Sequence, residues 1–449
     1  MQIISQILFI FAFLFGIWFF ARNIKRLRRN IFLGKATDRN DQPKKRFANM
    51  ARVALGQSKM GKRPIAAILH IFVYVGFVII NIEVLEIIID GIFGTHRIFS
   101  FLGTTYDILI FSFEILGFLV LFGVIVFWIR RNIIRIKRFW ASEMTSWPKN
   151  DANNILYFEM ILMVLFLSMN AADYQLQIRG VAHYAQEAGI AGAFPISQVL
   201  WPLIDGWSVD ALILTERIAW WGHILGILFF LNYLYYSKHL HILLAFPNTY
   251  YAKLKPQGEF NNLEAVTNEV KMMMDPETDP YSAPEEAADA EPAEVEKFGA
   301  SDVQDLNWVQ LLNAYTCTEC GRCTSECPAN QTGKKLSPRK IMMDTRDRME
   351  EIGESITKNG EFKEDGKQLL DDYITREELW ACTTCNACVE ACPIGIDPLS
   401  IIVDMRRYLV MEQSAAPNEL NNAMGNIENN GAPWPYNQMD RLNWAEEQS

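Results

Sequence analysis

All eight cysteines of this 449-residue chain fall in two copies of one pattern. The first copy is Cys317-x-x-Cys320-x-x-Cys323-x-x-x-Cys327-Pro328. The second is Cys382-x-x-Cys385-x-x-Cys388-x-x-x-Cys392-Pro393. A cubane 4Fe–4S cluster needs four thiolates converging on one small cage. Three cysteines at i, i+3 and i+6 wrap one corner of it, and the fourth of each run crosses to the other cluster. The expected ligand sets are therefore Cys317, Cys320, Cys323 and Cys392 for one cluster, and Cys382, Cys385, Cys388 and Cys327 for the other. Crossed ligation would lock the two halves into one rigid unit.

Other uses of these cysteines fit poorly. Zinc ribbons are built from paired C-x-x-C units and have no use for a third cysteine at +6 or a trailing Cys-Pro. Disulfides between cysteines three apart rarely reach good geometry, and the domain reads as cytosolic. No cysteine is left over, so a thiol-based catalytic centre is expected on another polypeptide.

Apolar residues make up 50% of the chain and charged residues 21%. That is too apolar for one soluble domain and too charged for a purely membrane-embedded one. The composition is split: the long apolar runs lie in residues 1–250, and residues 255–449 are polar and acidic. The formal net charge of −10 comes mainly from the second half. Its acidity argues against nucleic acid as a partner, because little there would neutralise phosphates.

Five stretches reach the roughly 20 residues that span a bilayer. They run over 3–21, 65–90, 106–129, 154–173 and 211–245, the fifth long enough to protrude. The first has no basic n-region and is followed by Arg22, Lys25, Arg26, Arg28 and Arg29, which reads as an uncleaved anchor. Residues 22–63 hold 14 Lys/Arg and residues 130–150 hold six, whereas loops 91–105 and 174–210 hold only Arg97 and Arg179. By the positive-inside rule the first two loops are cytoplasmic, the N-terminus lies outside and the C-terminus inside. The expected location is the inner (cytoplasmic) membrane, multi-pass, with the cysteine domain in the cytoplasm.

Three of the six histidines, His70, His223 and His241, fall in apolar runs, and His239 stands beside the last. An ionisable group at membrane depth is costly and usually functional, although a lone buried histidine is often only a hydrogen-bonded structural residue. On one continuous helix, His223 and His241 would be five turns apart, facing one side about 27 Å from each other, and His239 would face elsewhere. That arrangement suits two haems stacked across a bundle. His70 and His241 sit at similar depth and form the expected bis-histidine pair of a b-type haem. His223 lacks an obvious partner, since span two carries Ile80 and Asn81 where one could stand. His96 and His183 are in outward loops. The expectation is one or two haem b, with a polar contact or a quinone-site role as the alternative for His223.

This half resembles the gamma subunit of respiratory nitrate reductase and the cytochrome b subunit of membrane heterodisulfide reductase, both five-helix dihaem bundles. The likeness rests on His223, the 18-residue step, Ser237-Lys238-His239-Leu240-His241-Ile242 and Pro247, with His70 at the family's cytoplasm-side ligand position. Ile80 replaces the outer-side histidine of that family.

Acids also occur at depth: Glu83 and Glu86 on span two, Glu114 on span three, Glu159 on span four, and Glu216 beside Arg217. Quinone chemistry moves protons with electrons, so Glu83 and Glu86 are the candidates for a quinone or proton site. Structural salt bridges and water-facing positions are the plainer alternatives.

Residues 251–300 read as an acidic Pro/Ala-rich linker that leaves the placement of the following domain open. Met272, Met273 and Met274 read as helix packing rather than a cofactor box. Residues 301–411 read as helical, with segments over 305–315, 336–352, 367–380 and 397–411. Equivalent cysteines are 65 residues apart, too far for the compact bacterial ferredoxin. The run Trp308…Tyr315-Thr316-Cys317-Thr318-Glu319-Cys320-Gly321-Arg322-Cys323 resembles the helical dicluster domain found in the iron–sulfur subunits of succinate dehydrogenase and heterodisulfide reductase. Gly321 would allow backbone approach and Arg322 positive charge near a cluster. The tail, 412–449, has Gly431-Ala432-Pro433-Trp434, Arg441 and Trp444-Ala445, which resembles the connector of fused heterodisulfide-reductase-like proteins. There it leads into a CCG-motif domain. Since the sequence stops at Ser449, the tail is expected to dock a separate CCG-domain subunit, a disordered polar tail being the alternative.

The expected fold is all-α: a five-helix cytochrome b-type transmembrane bundle over 1–250 and a helical dicluster ferredoxin domain over 301–411. The expected function is that of a quinone-linked oxidoreductase subunit. It would relay electrons between a membrane quinone and a cytosolic partner through haem b and two 4Fe–4S clusters, with substrate catalysis on another chain. The rival readings are an anchor for a flavin dehydrogenase and a haem-free, membrane-anchored ferredoxin that senses redox state within an envelope assembly.

Overall fold

The computed structural model describes residues 2–185, 190–275 and 297–446. In chain order the first half forms α1 (Gln2–Ile31), α2 (Pro43–Met50), α3 (Pro64–Phe93), α4 (Thr104–Asn132), α5 (Ser146–Ile178), α6 (Pro195–Ile204), α7 (Val209–Tyr233), α8 (His241–Tyr250) and α9 (Glu264–Met274). Five of these, α1, α3, α4, α5 and α7 with its following turn, are long and apolar enough to cross a membrane. They start and stop on local chemistry. Pro64 opens α3, where its missing N–H costs nothing, and Gly94 at φ 71° closes it. The Ser208 hydroxyl caps α7 by accepting from the Ala211 N–H.

The bundle packs α3 along α4 and α5 along both α4 and α7, while α1 lies across α3 and α7. Its core is aromatic, with Tyr106, Phe113 and Phe166 fully enclosed. Much of α1 faces outward with apolar side chains such as Ile3, Phe11 and Leu14, as a lipid-facing helix would.

The expected fifth span over 211–245 is not one helix. It ends at Tyr233, passes through two 3-10 turns, Leu234–Tyr236 and Lys238–Leu240, and resumes as α8. Side-chain acceptors replace the helical carbonyls at the break. The Ser237 hydroxyl takes the His239 N–H (3.1 Å), and the Asp151 carboxylate takes the Lys238 N–H (3.1 Å) and the Tyr233 hydroxyl (2.8 Å). His223 and His241 therefore do not share one helical face.

The second half continues with α10 (Trp308–Thr316), α11 (Arg322–Glu326), α12 (Pro328–Gln331), α13 (Pro338–Asn359), α14 (Leu369–Asp372), α15 (Arg376–Ala381), α16 (Ala387–Ala391), α17 (Pro398–Met411) and α18 (Asn418–Asn430). The helix expected over 367–380 is split, because Asp371 takes a left-handed conformation (φ 72°) and Thr375 starts a new, capped helix. No strand forms among the described residues.

The second half does not hang from a tether. One continuous core joins Leu27 and Ile31 of α1, Phe230 of α7 and Leu240 to Leu311, Tyr315, Ile341 and Met405. Gly34 lies so close to the chain after Val303 that a Cβ there would stand 2.6 Å from the Leu306 carbonyl oxygen. The neighbouring Lys35 N–H donates to that same oxygen (2.8 Å). Asn30 donates to the Tyr315 hydroxyl (3.0 Å), and Arg339 reaches the Glu143 carboxylate (2.6 Å). Of the linker expected over 251–300, residues 276–296 lie outside the described residues, whereas the described part includes α9 and ends on the buried Ala300. Met272, Met273 and Met274 end α9 exposed instead of packing. In the tail, α18 buries no residue, and Trp434, Tyr436, Met439 and Trp444 are exposed.

Candidate functional site

The two cysteine runs adopt one backbone twice. Cys317 ends α10 and Cys382 ends α15, both extended (φ −63° and −72°). Two residues on, Glu319 and Thr384 are left-handed (φ 53° and 57°). Two further on, so are Gly321 and Asn386 (φ 70° and 60°). Each loop then enters a five-residue helix, α11 or α16, and these two helices pack together. Non-glycine residues with positive φ are uncommon, so three of them, with Gly321 as the fourth left-handed position, mark backbone in two short loops shaped around something. Cys327 and Cys392 close the loops, each followed by proline.

Sequence-distant thiols meet across this pseudo-repeat. A cavity is lined by Cys317, Cys320, Cys323, Cys388 and Cys392. Cys392 is an electrostatic neighbour of Cys320 and of Cys317, while Cys327 neighbours Cys382 and Cys388. Among the described residues no three Cys, His, Asp or Glu side chains stand at the spacing of a single bound ion; the thiols ring a cavity instead. Burial pushes the Cys317 and Cys388 thiols up to about 12. A desolvated thiol cage is unfavourable for thiolates unless cationic metal offsets the lost hydration, so the donor set fits an iron–sulfur cluster. The Thr384 N–H donates to the Cys382 sulfur (3.4 Å), the kind of outer contact that tunes a cluster.

The histidines are gathered differently from expectation. His70 on α3 is an electrostatic neighbour of His241 and of His239. The helix break swings His239 beside His241, ring centroids 5.4 Å apart and nearly perpendicular. The two differ in what they leave open. His241 Nδ1 lies 3.2 Å from the Lys238 carbonyl oxygen, which frees Nε2. His239 turns Nε2 toward the Glu159 carboxylate at 3.6 Å. An axial ligand anchored through Nδ1 to a backbone carbonyl is the usual outer-contact arrangement for metal-bound imidazole. His70 Nδ1 is buried without a hydrogen-bond partner. Imidazoles are the kind of donor that holds a haem, and of His70 and His241 the latter alone shows that outer contact.

His223 lies at mid-depth, buried and packed on the Phe166 ring at 5.8 Å. His96 and His183 do fold against the bundle, but onto one another (5.6 Å) and onto Tyr184. His96 Nε2 faces the Asp173 carboxylate at 3.0 Å.

At the end of the bundle away from the cysteines, buried polar groups converge on Arg97. Its guanidinium donates to Asp173 (2.5 Å), to the Tyr106 hydroxyl (3.0 Å) and to Asn170 (3.0 Å). Tyr106 in turn donates to Glu86 (2.8 Å), which also accepts the Phe99 N–H (2.8 Å). Glu83 is buried with one carboxylate oxygen unpartnered. Glu114 accepts from the backbone of Ile196 and Ser197 and from the Ser197 hydroxyl at the start of α6. Glu216 pairs with Arg217 and accepts from Tyr184 (2.8 Å). The sequence flagged the carboxylates but not Arg97, Asp173 or Tyr106; the sole arginine in a short, otherwise uncharged loop was the available signal.

Residues 316–396 match the family model of the 4Fe-4S dicluster domain. A probable iron-sulfur-binding oxidoreductase, FadF, of Bacillus subtilis is 28% identical over 99% of this chain and 61% of its own length. The EtfAB:quinone oxidoreductase of Syntrophomonas wolfei is 27% identical over 97% of this chain and 58% of its own. The chain thus spans less than two thirds of either relative. A probable membrane-anchored ferredoxin of Chromohalobacter salexigens is 34% identical over 33% of this chain and 24% of its own length. No solved structure matches. The chain is therefore related to iron–sulfur oxidoreductases, a membrane-anchored ferredoxin and heterodisulfide reductase subunits, and carries a 4Fe–4S dicluster domain after five apolar helices.

Proposed function

We propose that the chain conducts electrons between a membrane quinone and a soluble cytosolic partner, and that substrate chemistry resides on that partner. In this reading Cys317, Cys320, Cys323 and Cys392 hold one cluster, and Cys382, Cys385, Cys388 and Cys327 hold the other. His70 and His241 hold a haem b between quinone and clusters. The bound groups would supply one-electron redox chemistry; the chain supplies ligands, spacing and exclusion of water. One observation carries the reading: the histidine pair stands at the end of the bundle that meets the first cysteine motif, with Lys238 pairing directly to Glu319 inside that motif.

Glu83 and Glu86, near Arg97, are the proposed proton-handling groups of a quinone site at the opposite end. His223, midway, is either the ligand of a second haem or part of that site. The orientation with N-terminus outside and dicluster domain in the cytoplasm of an inner-membrane protein rests on the basic loops 22–63 and 130–150. A CCG-domain subunit is the proposed partner, supported by the likeness to heterodisulfide reductase subunits. The relative named EtfAB:quinone oxidoreductase supports quinone at the membrane end, and also favours a flavoprotein as an alternative soluble partner.

The test is spectroscopic. Purified protein should show a Soret band and two reducible 4Fe–4S signals, and a quinol should reduce the clusters in membranes. Protein with clusters but no porphyrin would remove the haem step.

A further inference from the structure

A wide cleft lies beside the second cysteine motif. Its volume is about 870 Å³, at the upper end of the range for binding pockets. Its walls come from Arg39, α2 and the turn after it, from residues 252–261 after α8, and from α10, α16 and α17. Seven lysines and arginines line it against three acids, on a chain whose formal net charge is −10.

The three acids are already engaged. Glu390 pairs with Lys62 and faces Lys59, Asp404 pairs with Arg407 (2.9 Å), and Asp397 accepts the Ser400 N–H (3.0 Å). The cations outnumber them. Arg39, Arg52 and Lys253 form no ion pair within 4 Å among the described residues, Arg39 and Lys253 share Asp397 as an electrostatic neighbour, and the enclosed Arg39 Nε has no hydrogen-bond partner. Burial lowers the pKa of Arg39, so its charge is held there at a cost that an incoming anion would offset.

The location is specific. Asn386, Val389 and Glu390, from the loop and helix around Cys388, form part of the wall. Lys59 donates to the Val389 carbonyl (3.2 Å) and so ties the basic wall to this motif. Cys385, in the same loop, is the one exposed cysteine of the eight. Electrons leaving through the second motif would emerge here.

We propose that this cleft receives an acidic surface segment of the soluble electron-transfer partner and docks it beside the second cysteine motif. The inference rests on the conduit reading above. Charge complementarity favours a protein segment. On an acidic chain, a basic cleft is the place where an acidic partner is attracted rather than repelled, so it steers the encounter to the electron exit. The basic wall draws on three separate chain segments, which suits an extended run of carboxylates.

The test uses the full-length, cluster-loaded protein in detergent and a fluorescently labelled twelve-residue polyglutamate peptide, followed by anisotropy. Binding that weakens steeply with salt is expected, and Arg39→Glu with Arg52→Glu and Lys253→Glu should weaken it at least tenfold. The single variant Arg52→Gln should weaken it by a smaller factor, which keeps the test informative should the triple variant fold poorly. Unchanged affinity in both variants overturns the proposal. So does displacement of the peptide by millimolar phosphate or by phosphatidylglycerol micelles, which would make the cleft a headgroup site. A tenfold gain in affinity when the acids of residues 277–296 are replaced by amides also overturns it, since the chain's own acidic run would then be the occupant. Iron–sulfur absorbance, read on the same samples, reports the conduit reading separately: loss of that signal in the unmutated protein would count against the conduit and not against the cleft.

Discussion

Lys238, in the break between α7 and α8, forms an ion pair with Glu319, the left-handed residue between Cys317 and Cys320. Glu319 is buried and the Lys238 side chain is only 9% exposed, and Arg346 of α13 holds the other Glu319 oxygen at 2.7 Å. The pair joins the segment that carries His239 and His241 to the loop that carries the first cysteines. A buried pair of this kind is weak evidence for net stability, yet removing one partner is costly because the other charge is stranded.

Lys238→Met should therefore destabilise the protein by about 3 kcal/mol, at the low end for a broken buried pair because Arg346 still holds Glu319. Chemical unfolding followed by cluster absorbance measures it. In the conduit reading the same variant slows cluster reduction by quinol. Wild-type stability would show that the contact is incidental.

Cys392→Ser should disturb the cluster held mainly by the first motif, and Cys327→Ser the one held by the second. Each variant should retain about four of eight irons, as expected for one intact cubane. Electron paramagnetic resonance of reduced protein distinguishes the two signals. If each serine instead removed the signal of its own run, crossed ligation would be wrong.

His70→Ala and His241→Ala should each abolish the absorption of the haem proposed between them while iron–sulfur signals persist. His239→Ala should leave most of it, because Nε2 of His239 faces Glu159 and that of His241 is free. Haem retained in His241→Ala but lost in His239→Ala would exchange their roles.

Arg97 and Asp173 are both buried, so Arg97→Met leaves Asp173 with His96 and Gln177 as its side-chain partners among the described residues. A loss of about 3–5 kcal/mol is expected, as for other broken buried pairs. Glu83→Gln preserves shape and should leave stability nearly unchanged while slowing quinol-dependent cluster reduction. Thermal unfolding and stopped-flow reduction, run side by side, separate these effects; equal loss of stability in both would make Glu83 structural.

Docking of the dicluster domain should be acid-sensitive. Burial pushes the Glu143 carboxyl up, but Ser337 and Arg339 outweigh it and hold it below the usual glutamate value. A depressed folded pKa gives stability that is full above the unfolded value, about 4.3, and lost as pH falls through the folded one. Protease cleavage between the halves should increase below about pH 4 in wild type. In Glu143→Gln it should already be raised at pH 7. A variant indistinguishable from wild type at both pH values would assign the docking to the shared apolar core alone.

The repeated cysteine spacing and the five apolar runs follow from the order of residues alone. Cysteine spacing needs only local backbone, and apolar runs of membrane length need only composition, so both are legible without tertiary information. The class of fold, all-helical with five apolar spans and a dicluster domain, was readable for the same reason. The course of the chain between Tyr233 and His241 was not. Helical periodicity carried across it, whereas Asp151, more than 80 residues away, captures the Lys238 N–H and breaks the helix. That contact decides that His239 lies beside His241 and that His223 stands on a different helix. The docking of the second half was equally illegible, because Gly34 against Leu306 and Asn30 against Tyr315 are contacts between segments nearly 300 residues apart. Local spacing fixes which groups a segment offers; only packing between distant segments decides which of those groups meet.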